Sequence, residues 1–184
     1  GKCVQDSRRD LARLNREGIV DADSNYCFGE GGAGTYSDGK LYTRSDKRGD
    51  VEKVLKLFVS HGANEDILVN ARPHIGTNKL PHIIQAIRET IISHGGEVIF
   101  EQRVIDINTE NDQVTGVTLA NGTPLNASHV IVATGHSARD IFELFRTKNW
   151  LLEAKAFALG VRIEHPQEII DQAQYHCEIR SEHL

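Results

Sequence analysis

The residues whose types and spacing carry the most chemistry are Gly29-Glu30-Gly31-Gly32-Ala33-Gly34-Thr35-Tyr36-Ser37-Asp38-Gly39-Lys40. Four glycines in six residues leave a continuous stretch of backbone without side chains. Such backbone can lie against a flat or anionic ligand with its N–H groups turned toward it. Ser37 offers a hydroxyl donor and Lys40 a positive charge, both suited to anionic oxygens. The string also fits G-x-G-x-x-G, a turn that opens dinucleotide-binding βαβ units.

That motif works only between a buried strand and an amphipathic helix. Asp21 to Phe28 is too polar for a central parallel strand, and Thr35 to Asp46 has no helical apolar recurrence. Asp50 lies at about the spacing of a ribose-binding acid, but it opens a helix instead of closing a second strand. Residues 29–40 therefore read as an irregular ligand-facing loop. A surface loop held by its own turns is the plain alternative. A nicotinamide-dinucleotide domain built on Gly29–Gly34 is disfavoured by this context.

A second group surrounds Ala133-Thr134-Gly135-His136-Ser137-Ala138-Arg139-Asp140. His129 to Ala133 is a continuous apolar run, the pattern of a strand covered on both faces in a parallel sheet. Thr134 and Gly135 would stand at its carboxyl end, where ligands of open α/β sheets bind. A simple strand-to-helix turn is the alternative. Ser137, with Asp140 three residues on, reads as the capping box of the next helix and not as a nucleophile. Arg139 could meet a phosphate or be solvated. His136 is open between cofactor contact and a structural hydrogen bond.

The elements that must position these groups follow from periodicity. Ser7 to Glu17 reads as a helix stopped by Gly18. Val51, Val54, Leu55 and Phe58 recur at helical spacing behind Asp50 as N-cap. Leu80, Ile83, Ile84, Ile87 and Ile91 define a further helix, capped by Thr77 or Asn78 and ended by Gly95-Gly96. Ile67–Val69, Val98–Phe100, Val104–Ile107 and Val114–Leu119 read as strands, with a hairpin turn at Asn121-Gly122. Ile141, Leu144 and Phe145 continue the helix after Ser137. Phe157 to Ile163 alternates as a half-buried strand, and Pro166 opens a last short helix.

The 184 residues carry a formal charge of −5, which gives no electrostatic support to nucleic-acid or membrane-surface binding. No run of 18 apolar residues exists, so no segment reads as a membrane-spanning helix. Cys3, Cys27 and Cys177 are odd in number and far apart, as expected of reduced thiols in a cytoplasmic protein. The nine histidines show no metal-ligand spacing, so no metal site is expected.

Helix, strands and meander leading into Val130-Ile131-Val132-Ala133-Thr134-Gly135 resemble the glutathione-reductase-like FAD/NAD(P)-binding class. The strings Gly29 to Lys40, Pro73-His74-Ile75-Gly76-Thr77-Asn78-Lys79-Leu80 and Ala133 to Asp140 sharpen this into a resemblance to the FAD-dependent (NAD(FAD)-utilising) dehydrogenase family. The resemblance implies an α/β fold, a parallel sheet plus β-meander lacking its first βαβ unit. It implies an incomplete FAD-binding domain at 1–150, with a helical insertion around 51–95, and the start of a substrate-side domain at 151–184. The family's nucleotide fingerprint would precede Gly1 and its last flavin-contacting segment would follow Leu184. The chain thus resembles an internal piece, expected to hold no FAD alone, with the rest of the polypeptide as its partner.

The implied activity of the intact protein is flavin-mediated hydride transfer on a small molecule, with NAD(P)H as candidate donor. The implied cofactor contacts are Gly31, Gly32, Ala33, Gly34, Ser37 and Lys40; the Val104 backbone beside adenine; and Ala133, Thr134, Gly135, His136, Ser137 and Arg139. No catalytic dyad is visible, which suits chemistry carried by a cofactor. The alternative is a non-catalytic nucleotide-binding or interaction module that kept the fold.

Overall fold

In a computed structural model, residues 1–41, 43, 49–76 and 78–176 are described. Gly1–Trp150 and Leu151–Leu184 form separate units. In the first, helix α1 spans Val4–Glu17 and ends on Gly18, whose φ of 69° lets its N–H reach Leu14 O. Helix α2, Val51–Ser60, starts where Asp50 accepts a bond from Lys53 N–H. Helix α3, Leu80–Ser93, lays Leu80 and Ile83 against Ala63, Ile67 and Ile75 to form the buried core. Leu55, Phe58 and Val59 of α2 and Ile84 and Ile87 of α3 close over it. Burying Ile67, Ile75, Leu80 or Ile83 is worth roughly 1.5–3 kcal/mol each.

The sheet among the described residues is an antiparallel meander of β1 (Val104–Glu110), β2 (Gln113–Leu119) and β3 (Pro124–Asn126). Asn111 and Asp112, with φ of 50° and 61°, make the first turn. At the second, Gly122 N–H donates to Leu119 O and Thr123 N–H to Asn121 Oδ1. Helix α4, Arg139–Thr147, packs on β1; Ala138 and Ile141 are buried there, as are Ile107 and Leu119 of the sheet. Lys148 Nζ pairs with Asp106 of β1 at 2.7 Å. In the second unit, helix α5 spans Gln167–Tyr175 behind Pro166.

Four strand expectations fail. Residues 129–133 are not a strand of a parallel sheet; Ile131 is 93% exposed. The meander's bonding ends at Ala127 N–H to Thr115 O, and no described strand follows to pair with the run. An apolar pattern marks a segment fit for burial but supplies no neighbour to bury it. The same holds for 157–163, where Phe157, Leu159 and Val161 are exposed and unpaired. Residues 98–100 stay outside the sheet, the nearest tie being Glu101 N–H to Gly1 O. Glu65–Leu68 is a 3-10 turn, because Asn64 Oδ1 accepts from Asp66 N–H and starts it.

Two caps also differ. Helix α4 starts one residue later, on Ala138, because the Ser137 hydroxyl lies against His136 Nδ1 at 3.2 Å and not on a helix N–H. Helix α3 is capped by Lys79 and not by Asn78; Gly76 O receives the N–H groups of Lys79 and Leu80. Thr77, the other cap candidate, and Cys177 lie outside the described residues.

Candidate functional site

The glycine run is a built turn. No strand precedes it, and Gly32–Gly34 is one 3-10 turn followed by no helix. That excludes the βαβ reading of Gly29–Gly34. Thr35, fully buried, donates its hydroxyl to Gly32 O (2.9 Å) and Glu30 O (3.0 Å), closing the turn from inside. A Cβ at Gly31 would overlap Ile84 Cδ1 of α3, so backbone and helix touch there. From outside, Glu30 Oε2 accepts the Val4 N–H of α1 at 2.9 Å, and the Tyr36 hydroxyl donates to Val4 O. Burial pushes the Tyr36 phenol above its usual range, which keeps it protonated and able to donate.

This turn forms one side of a cavity of about 910 Å³. Gly31, Gly32 and Ala33 line it, and Val104 lines it where β1 begins. So do Ala133, Thr134, Gly135, His136, Ser137 and Arg139, at the approach to α4. Two sequence segments about a hundred residues apart are thereby brought to one space. Gly34, Ser37 and Lys40 do not line it. Ser37 donates to Gly34 O within its own turn, and Lys40 pairs with Asp38 at 3.2 Å while bridging His74 through backbone.

The structure adds residues the sequence did not single out. Ile99 and Phe100 give the wall an apolar face, and Asp23 and Arg103, which form an ion pair, also line it. Their hydrogen bond raises the Arg103 guanidinium above its usual range. Asp23 sits in a polar bend and Arg103 just before a strand, so neither carries a periodic signal. Glu30 stood inside the glycine string, where the missing side chains drew attention instead.

The wall offers a ligand bare backbone, an apolar face and a cation. Gly32 (φ 73°) and Gly135 (φ 74°) have no atom within 4 Å of where a Cβ would stand, leaving open space beside bare backbone. Arg139 makes no side-chain hydrogen bond or ion pair among the described residues, so its guanidinium is available to an anion. The first turn of α4 lines the same space, and its N-terminal dipole favours negative charge. Asp140 in that turn suits sugar hydroxyls, which donate, better than phosphate. Among the described residues no group of three His, Cys, Asp or Glu side chains is placed to hold a metal, and no helix is long and apolar enough to cross a membrane.

Comparison with known proteins places the chain in a flavin family. A family model of flavin containing amine oxidoreductases matches residues 15–159, most of the chain and nearly all of the cavity's wall. The chain belongs to this flavin oxidoreductase family. A second model, of an FAD-dependent protein, C-terminal domain-like, matches residues 156–184. An uncharacterized protein of Clostridium beijerinckii is 38% identical over 176 residues, which cover 95% of this chain and 32% of that protein. The chain thus spans about a third of that relative's length.

Proposed function

We propose that the chain is part of an FAD-dependent dehydrogenase in which NAD(P)H gives a hydride to the flavin, which passes it to a small-molecule acceptor. The observation carrying this is the convergence of the 29–33 backbone and the 133–139 segment on one cavity. Gly31, Gly32 and Ala33 would present backbone to the cofactor, and Arg139 with the α4 N-terminus would meet its phosphates. Ile99, Phe100 and Val104 would cover apolar ring surface and exclude water. The flavin, when bound, accepts and donates the hydride; the protein binds and orients it. Gly1–Trp150 would be the cofactor side, with residues 51–95 as a helical insertion, and Leu151–Leu184 the start of the substrate side.

Cys3 and Cys27 are free thiols, which suits a reducing cytoplasmic setting. The experiment is an absorbance scan of the intact protein, then anaerobic addition of NADH or NADPH. A flavin band bleached by one of them supports the proposal. A protein without flavin uptake favours the non-catalytic module, and a flavin reduced by neither nucleotide removes the NAD(P)H link.

A further inference from the structure

Arg88 of α3 does not line the cavity, yet it touches both of its walls. Its Nη1 donates to Glu30 Oε2 at 2.9 Å. The pair is sheltered, with side chains 16% and 10% exposed. The same guanidinium lies over the Phe100 ring, 5.4 Å from its centroid. Glu30 belongs to the glycine wall and Phe100 to the apolar wall. Glu30 Oε2 also holds Val4 N–H, so one carboxylate ties the turn to α1 and α3 together.

We propose that Arg88 is a positioning residue that sets the separation of the glycine turn and the Phe100 wall, and so the fit of a flat ligand between them. An exposed ion pair would contribute little. This one is largely withdrawn from solvent, and a planar guanidinium can serve a carboxylate at its edge and an aromatic ring on its face at once. Lysine can satisfy only the first of these geometries well. The two walls are therefore coupled through α3: moving Arg88 moves both. The affinity part of this inference rests on the flavin proposal; the coupling of the walls does not.

The test uses the intact protein, first freed of flavin, and compares wild type with the double variant Arg88→Met/Glu30→Gln. The double change leaves no unpaired buried charge, so folding is preserved. Amide hydrogen exchange is followed in residues 28–36 and 98–103. Both segments should exchange about tenfold faster together, while β1 and β2 are unchanged. Arg88→Lys should restore protection to 28–36 and leave 98–103 fast.

Titration with FAD should then show about tenfold weaker binding in the double variant and an altered visible circular dichroism of the bound flavin. Exchange that changes in neither segment, or in only one of them in the double variant, overturns the inference. So does a lowered melting temperature with both segments and FAD affinity unchanged. If both segments accelerate but wild type takes up no FAD, the coupling stands and the flavin proposal fails.

Discussion

Thr35 Oγ1 lies 2.9 Å from Gly32 O and, through that bond, holds the glycine turn in the shape that faces the cavity. Thr35→Val keeps the side-chain volume and removes the donor from a fully buried position. We expect a loss of about 1–3 kcal/mol in denaturant unfolding at unchanged slope. Thr35→Ser should recover most of it. Equal midpoints for wild type and Thr35→Val would show that the turn closes without the hydroxyl.

Gly31 and Gly32 are adjacent and should fail differently. A side chain at Gly31 collides with Ile84 and Thr35. Gly31→Ala should therefore lower the melting temperature markedly, because core packing must shift. At Gly32 the space is open and φ is 73°, so Gly32→Val adds about 1–2 kcal/mol of backbone strain. It also fills space a ligand needs, and flavin affinity should fall more than stability. Thermal unfolding compared with flavin titration checks both; equal losses of both at Gly32 would make that glycine structural.

Helices α2 and α3 were legible because Val51, Val54, Leu55 and Phe58, and Leu80, Ile83 and Ile87, repeat at the spacing of the bonds that form them. Helix contacts are local, so the periodicity contains the partner. The Asn121-Gly122 turn was legible for the same reason. Residues 129–133 and 157–163 were not, because a strand's partner is non-local and apolar residues do not name it. Within the site, missing side chains at Gly31, Gly32 and Gly135 stood out. Arg88, Arg103 and Asp23 act through distant contacts and left no local pattern.

Acid should weaken the packing of α1 against the stretch before the glycine turn. Lys2 Nζ pairs with Asp10 at 2.8 Å. Its hydrogen bond holds the Asp10 carboxyl below the usual range. The Asp23 backbone N–H, then Lys2, does the same for Asp21. A carboxylate depressed in the folded state stabilises fully above its unfolded value, about 4, and loses that contribution as pH falls through the folded value. Melting temperature should therefore drop below about pH 4. Asp10→Asn should flatten that limb; an unchanged acid limb in Asp10→Asn and Asp21→Asn would exclude these groups. The Asp10 hydrogen bond raises Lys2, so its contribution is full below the ordinary lysine value and is lost as pH rises through the folded value.

Gly135 has φ of 74° and nothing within 4 Å of a built Cβ, and it lines the cavity just before α4. Gly135→Leu in the intact protein should exclude FAD while far-UV circular dichroism stays near native. Unchanged flavin affinity in a folded variant would make Gly135 a turn residue only.

The most direct measurement is an exchange footprint of FAD on the intact protein. Saturating FAD should slow amide exchange in residues 29–33 and in residues 133–139 together, the two segments that meet at the cavity. Helix α2, remote in sequence from both, should be unaffected. Bound flavin with protection in neither segment would contradict a cofactor site built from this cavity.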